Sequence, residues 1–466
     1  MTGDWRRSLA VGAGRLTGTA VRALHRGGGT TLPGDIARAL DPMILRKLAA
    51  QARRGTVLIT GTNGKTTTAA LVRAAAAAHG WRVVGNPSGA NLIYGLTAAA
   101  VQAAQLDGLV EVDWFVFEVD ELTLPRAVAE LQPRVLTLLN LYRDQLDRSF
   151  ELEQIAQRLA TGVGDLPAGA RCLANADDPL VALAASAAAQ PAHFSITDPR
   201  VGRDHLPPGA DTRACPRCGD ALVYDRVIYA HCGRYHCPAC GLAPPGAEFR
   251  ATEVDAAGLS SLGLTVEEAE GPVTLRSRFG GLYNAPNLLA AYATARLMGV
   301  PAQTAASALA ATDAPFGRQE VVEIGGRRIR LLLAKNPAGF DEALRAATDG
   351  GPTPALALGL NDRIADGRDV SWIWDVDFEH LSRRPQDGPI VVTGSRAADL
   401  MLRLKYAGVP ASRLERVDPP AAALHRLAAL TPAGVISPAL LTYTAVLDWH
   451  RALTREGLVS PYWRVA

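Results

Sequence analysis

The chain has 466 residues, 48% hydrophobic and 20% charged, a composition that suits two or three folded domains and excludes a disordered chain. With 48 Lys and Arg against 46 Asp and Glu, the net charge of +2 is too balanced to make nucleic acid a partner on charge alone. No run approaches the ~18 uninterrupted apolar residues of a membrane span, and the N-terminus, with Arg6, Arg7, Arg15, Arg22 and Arg26, lacks the apolar stretch of a secretory signal.

Residues 1–50 read as helical, broken by Gly27-Gly28-Gly29 and Pro33-Gly34. A strand is then expected at Val57–Thr60 and a helix at Thr67–Ala78, with Thr60-Gly61-Thr62-Asn63-Gly64-Lys65-Thr66-Thr67 spanning the turn between them. That order builds a phosphate site. Backbone N–H groups of the loop and helix N-terminus face the anion, Lys65 adds a point charge, and the Thr66 hydroxyl is placed to ligand Mg²⁺. The strict phosphate-loop spacing is not met, because Ile59 stands where its first Gly falls. Further elements are a strand at Arg82–Val84, a helix at Ala98–Gln105, and strands at Trp114–Val119 and Arg134–Leu139. Strands alternating with helices predict an α/β fold with a parallel, doubly wound sheet whose ligands sit at the carboxyl ends of the strands. Glu118, followed by Asp120 and Glu121, occupies such an end and suits a Mg²⁺ ligand or water holder; a solvated strand end is the plain alternative. Asn140 ends the next strand, before Asp144, Gln145, Asp147 and Arg148, which also read as a capped helix start.

Cys215-Pro-Arg-Cys218 and Cys237-Pro-Ala-Cys240 interrupt the pattern as two CxxC knuckles about 18 residues apart, the spacing of a four-thiolate zinc ribbon. Two disulfides fit the same spacing, but ATP chemistry and reduced thiols belong to the cytosol. His231, Cys232 and His236, between the knuckles, read as surface or packing residues, since four thiolates already close the shell; Cys172 reads as a buried small hydrophobe. Asn284 and Asn287 precede a helix and are either nucleotide contacts or N-caps. A second α/β unit follows a boundary near Asp313–Gly317, with strands near Ile329–Ala334, Ala355–Leu360, Ile390–Thr393 and Gly434–Ile436. Trp372-Ile-Trp-Asp-Val-Asp377 reads on its own as a strand with its acids in water.

The Thr60–Thr67 loop resembles the nucleotide loop of the Mur ligase and folylpolyglutamate synthase superfamily. Gly281-Leu-Tyr-Asn284-Ala-Pro-Asn287 resembles its Gly-x-x-Asn-x-x-Asn element, which implies adenine-side contacts for the two amides. Pro315-Phe-Gly-Arg318-Gln-Glu320 resembles its hinge, which implies that Arg318 reaches the ATP phosphates. Lys335, in Leu333-Ala-Lys-Asn-Pro337, stands where relatives carry a loop over the nucleotide, although an ordinary surface lysine fits too. Two departures matter: Gln145 replaces a metal-binding His, which puts a second metal in doubt, and only about 50 residues precede the loop, too few for the usual UDP-binding domain.

Three further features resemble the MurT family: Arg26-Gly-Gly-Gly-Thr-Thr-Leu-Pro-Gly-Asp35, the inserted CxxC pair, and the long run Leu360-Asn-Asp-Arg-Ile-Ala-Asp366 through Glu379. The resemblance implies a helical segment at 1–50, a Mur ligase-like central ATP-binding domain at 51–312 carrying the zinc ribbon at 205–250, and a C-terminal α/β domain at 313–466. It implies ATP, Mg²⁺ and Zn²⁺ as cofactors and, as activity, amidation of the D-glutamate α-carboxylate of the lipid II stem peptide through an acyl phosphate. Ammonia would come from a partner GatD-type glutaminase, with no nucleic acid involved and the cytoplasmic enzyme peripheral to the inner face of the membrane. An Asp of this family completes the partner's Cys–His pair; Asp375 is the first candidate, then Asp369 and Asp377, beside Trp372 and Trp374 as partner anchors. Two competitors stand: a self-sufficient ligase that adds a free amino acid, and a nucleic-acid-binding NTPase that uses its ribbon, where Arg213, Arg217, Arg226, Arg234, Tyr224, Tyr229 and Tyr235 gather.

Overall fold

The computed structural model describes residues 4–23, 31–86, 89–144, 152–314, 317–348 and 351–459. Helices α1 (Trp5–Ala23), α2 (Leu32–Leu40) and α3 (Ile44–Ala49) come first. The alternating unit runs β1 (Gly55–Thr60), α4 (Lys65–Ala78), β2 (Val83–Val84), α5 (Ile93–Ala103), β3 (Trp114–Glu118), α6 (Leu124–Leu131), β4 (Val135–Leu138), α7 (Leu152–Gly164), β5 (Arg171–Asn175), α8 (Pro179–Ala185) and β6 (Pro191–Ile196). A separate hairpin, β7 (Val223–Tyr229) and β8 (Cys232–His236), interrupts it before β9 (Phe249–Ala257), β10 (Ser261–Glu268), β11 (Gly271–Ser277), α9 (Ala285–Met298) and α10 (Ala302–Ala311).

One nine-stranded sheet has the order β11-β10-β9-β6-β5-β4-β1-β3-β2. From β2 to β9 every neighbour is parallel, and β9–β10–β11 form an antiparallel meander. β1 and β3 are near-continuous apolar runs because both faces are covered, with Val57, Leu58, Ile59 and Phe115–Phe117 fully buried. One core joins the sheet to α4, α9 and α10, and the other joins it to α1–α3 and α5–α8. Strand order reverses at β1, so the loop after β1 opens into the crevice where such sheets take ligands.

The C-terminal unit runs β12 (Arg318–Ile324), β13 (Arg327–Leu333), α11 (Pro337–Thr348), β14 (Leu356–Gly359), α12 (Glu379–Ser382), β15 (Ile390–Thr393), α13 (Ala397–Tyr406), β16 (Leu414–Arg416), α14 (Pro420–Leu430), β17 (Ile436–Leu441) and α15 (Tyr443–Arg455). Its six strands are ordered β12-β13-β17-β14-β15-β16, parallel except for the β12–β13 hairpin. The last strand extends well past the Gly434–Ile436 expected, to Leu441, and the helix expected from Ala98 begins at Ile93. Trp372–Asp377 is not a strand: Ser371–Asp375 form a 3-10 turn, because Trp372 and Ile373, adjacent in sequence, both turn into the core.

Candidate active site

The phosphate loop is held from both sides. Asn63 N–H donates to Asn140 Oδ1 at 2.8 Å, and Asn140 Nδ2 donates back to Asn63 O at 3.0 Å. Tyr142 N–H donates to Thr62 Oγ1 at 2.9 Å. Two glycines are required by space as well as by backbone angle. Gly61, at φ +135°, leaves a Cβ only 2.8 Å from Asn140 N, and Gly64, at φ +90°, leaves one 2.0 Å from Asn287 Oδ1. Gly64 also begins α4, so the free N–H groups of Lys65–Thr67 face the cleft.

Lys65 donates to Gly61 O and stands 3.2 Å from Glu121 Oε2. Burial alone would lower its pKa, but Glu121, Asp120, Asp144 and Glu118 outweigh it and raise it, so the ammonium is held charged. Burial, then Glu121, pushes Asp120 up. Thr66 donates its hydroxyl to Glu118 Oε2 at 2.6 Å, and Glu118 Oε1 accepts from Gly89 N–H at 3.0 Å. Neighbouring oxygens on an octahedral Mg²⁺ lie about 3 Å apart, so Thr66 and Glu118 fit as adjacent ligands. Arg318 Nη2 reaches Thr66 Oγ1 at 3.2 Å, while its buried Nε has no partner and points to an anion not otherwise supplied. Burial lowers the Arg318 pKa. These groups line a cleft of about 480 Å³, a volume suited to a nucleotide.

Asn284 makes no capping bond to α9. It donates to Gly280 O at 2.8 Å and accepts from Asn287 Nδ2 at 3.2 Å, and both amides line the cleft. From the other side, Lys335 pairs with Asp144, and Asn336 exchanges amide hydrogen bonds with Asn63 at 3.3 and 3.1 Å. Lys335 is therefore part of the cleft. Gln145, Asp147, Arg148, Pro315, Phe316 and the Arg26–Thr30 part of the N-terminal run lie outside the described residues. Gln319 was not anticipated: at φ +71° it donates to Gly280 O at 2.6 Å and Tyr283 Oη at 2.7 Å, locking the start of β12 onto the amide pair. Nothing in local sequence reveals a left-handed glutamine.

The carboxylates of the Leu360–Glu379 run do not converge. Asp377 is held by Arg345 at 2.8 Å and Arg383 at 3.0 Å. Asp375 lies 3.3 Å from Arg143, which also pairs with Asp211 beside the cysteine knuckles. Asp369 accepts from Ser371 N–H at 2.8 Å. Trp372 is buried against Phe340, so it is core and not an outward anchor; Trp374 is 50% exposed and sits edge-on to Tyr406.

Cys215 and Cys240 sulfurs are 3.6 Å apart, Cys218 and Cys237 sulfurs 3.5 Å, and all four lie within 4.8 Å of one another. The cysteines are free, so the two-disulfide alternative is not realised. A tetrahedral Zn²⁺ with bonds of about 2.3 Å places its sulfurs about 3.8 Å apart, which this cluster fits. Gly219 and Gly241, at φ +85° and +71°, turn each knuckle. His236 is exposed, but His231 and Cys232 are fully buried and lie outside the cluster.

The chain matches the family described as Mur ligase middle domain over residues 59–202 and that described as MurT ligase C-terminal over residues 333–446. It is 34% identical over 404 residues to the lipid II isoglutaminyl synthase (glutamine-hydrolyzing) subunit MurT of Staphylococcus aureus strain COL, covering 87% of this chain and 89% of that one. It is 31% identical over 454 residues to the protein of the same name from Streptococcus pneumoniae strain ATCC BAA-255 / R6, covering 97% and 98%. Among solved structures, a pseudomurein peptide ligase type C from Methanothermus fervidus superposes with a TM-score of 0.67 at 19% identity, over 89% of this chain and 80% of that one, a likeness of fold.

Proposed function

The chain belongs to the family of MurT subunits of lipid II isoglutaminyl synthase, and from that premise we propose that it amidates the α-carboxylate of D-glutamate in the lipid II stem peptide to D-isoglutamine. The observation that carries the reading is the single cleft lined by two cations, Lys65 and Arg318, beside the hydrogen-bonded Thr66–Glu118 pair. A carboxylate is a poor acyl donor, and ATP with Mg²⁺ supplies the phosphoryl group that makes it a good one. Lys65 and Arg318 offset charge on the phosphates, the N–H groups of Lys65–Thr67 orient them, and Thr66 with Glu118 is the pair that would hold Mg²⁺. Asn284 and Asn287 are assigned to the adenine side, and Zn²⁺ to Cys215, Cys218, Cys237 and Cys240 as a closed structural site.

Ammonia is assigned to a separate GatD-type glutaminase. Cys172 and Cys232 are buried and the other four cysteines form the cluster, so no cysteine of this chain is left as a nucleophile for glutamine. The aspartate that would complete the partner's Cys–His pair is assigned among Asp375 first, then Asp369 and Asp377; Asp377 is engaged by two arginines and Asp375 by Arg143. No described helix is long and apolar enough to cross a membrane, and we place the chain peripherally on the inner membrane face, where a lipid-linked substrate is presented.

The test is reconstitution with lipid II, ATP, Mg²⁺, glutamine and the glutaminase, with mass spectrometry of the stem. The expected product has a carboxyl exchanged for a carboxamide and needs both the glutaminase and Lys65. Gain of a whole amino acid, or turnover indifferent to the glutaminase, would overturn the reading in favour of a self-sufficient ligase.

A further inference from the structure

Asp178, His231 and Cys232 form a second convergence, inside the protein and apart from the four-cysteine cluster, with one potential ligand atom from each lying within 4.8 Å of the others. Ala230, at φ +45°, and His231 make the turn of the β7–β8 hairpin, and Cys232 begins β8. Asp178 begins α8. All three side chains are sealed from solvent.

His231 Nε2 lies 3.4 Å from Asp178 Oδ2, and Cys232 Sγ lies 3.9 Å from the same oxygen. A tetrahedral ion with the Zn–N, Zn–O and Zn–S distances found in proteins separates nitrogen from oxygen by about 3.4 Å and sulfur from oxygen by about 3.6 Å. Neither ring nitrogen of His231 has a hydrogen-bond partner, an unsatisfied state that a buried imidazole rarely keeps. The carboxylate is fixed in place: Asp178 Oδ2 accepts from Leu141 N–H at 2.8 Å, and Oδ1 accepts from Leu180 and Val181 N–H at 3.0 and 3.2 Å. Oδ1 is filled by its two donors, while Oδ2, the oxygen nearest His231 and Cys232, keeps capacity for a further partner. Tyr142 Oη lies 3.2 Å from Cys232 Sγ, and its ring packs edge-on to His231.

We propose that Asp178, His231 and Cys232 bind a second zinc ion, with the Tyr142 hydroxyl as fourth neighbour. The donor set, one thiolate, one imidazole and one carboxylate, suits a borderline-soft divalent cation. The charges close: carboxylate and thiolate balance the dication beside a neutral imidazole, leaving a neutral group in the interior. Binding forms the Zn–S bond as the Cys232 S–H bond breaks, and the proton leaves to solvent. The ion would fasten the hairpin turn to the α8 N-terminus and to the Leu141–Tyr142 segment, whose Tyr142 N–H holds Thr62 of the phosphate loop. The ribbon would thereby be tied to the nucleotide loop.

The experiment is zinc content of the purified full chain by plasma mass spectrometry, beside Cys232→Ala, His231→Ala and Cys218→Ser/Cys237→Ser. The expected result is about two zinc ions per chain, falling to about one in each variant. About one ion in the unmodified chain, or about two that persist in both Cys232→Ala and His231→Ala, overturns the site. Should those variants not fold, anomalous diffraction at the zinc edge on the unmodified chain decides: a peak at the Asp178 group supports the proposal, and a peak at the four cysteines alone refutes it.

Discussion

Lys65 sits where four carboxylates hold it charged without a ligand, so a nucleotide finds its cation ready. Lys65→Ala is expected to cut ATP turnover by about 10²–10³-fold, as loss of one preorganised donor to a developing charge does, while far-ultraviolet circular dichroism stays unchanged. Gly64→Ala is the steric counterpart. Its Cβ would lie 2.0 Å from Asn287 Oδ1 at φ +90°, so calorimetry should show nucleotide affinity weakened by about tenfold or more. An alanine variant that binds ATP normally would mean that the loop and amide pair do not pack this way in solution. The loop and Glu118 stand in local strand–turn–helix patterns, whereas Asn284, Asn287 and Arg318 enter through the family resemblance; the structure brings all of them to one cleft. Gln319 and Asn336 were not legible, since their value lies in partners far away in sequence: Gly280 and Tyr283 for one, Asn63 for the other. His231 and Cys232 are buried, as a packing role requires, but sequence spacing does not show that a hairpin turn brings both beside Asp178.

Among the elements, the ribbon is the one that a zinc ion at its four cysteines would have to hold. Its core is Cys215, Leu222, Tyr235, Cys237 and Leu242, too small an apolar group to hold a fold by itself. Chelation or Cys215→Ser should open residues 211–242 to limited proteolysis while the parallel sheet stays protected; equal protection with and without chelator would contradict a metal-dependent ribbon. In α11, burial and then Glu342 push Asp341 up to about 7, so the folded state keeps a proton that the unfolded chain has released. Stability is full below the unfolded value and declines as pH rises through about 7, on the order of a few kcal/mol. Asp341→Asn, which keeps an acceptor for Asp377 N–H, should flatten urea midpoints between about pH 5 and about pH 8. An unchanged slope would assign that decline elsewhere. The alternation of β1 through β4 announced itself. The β9–β11 meander did not, although Leu262, Leu264 and Val266 alternate inward, because it follows the cysteine insert and leaves the strand–helix alternation.

Across the whole molecule, the C-terminal unit meets the phosphate loop through Arg318 on Thr66, Asn336 on Asn63 and Lys335 on Asp144, the last in the segment beyond β4. Such contacts, kept in the loaded enzyme, would shield an activated carboxylate from water. The family was legible from motifs spread along the chain. The packing of the two α/β units was not, because those three contacts join residues that no local pattern links. The central claim is that this cleft activates a carboxylate by phosphorylation. The direct measurement uses lipid II carrying heavy oxygen in the D-glutamate α-carboxylate, with ATP, glutamine and the glutaminase. One labelled oxygen per amidation is predicted to appear in inorganic phosphate. Phosphate without label, while the amide still forms, would contradict the account.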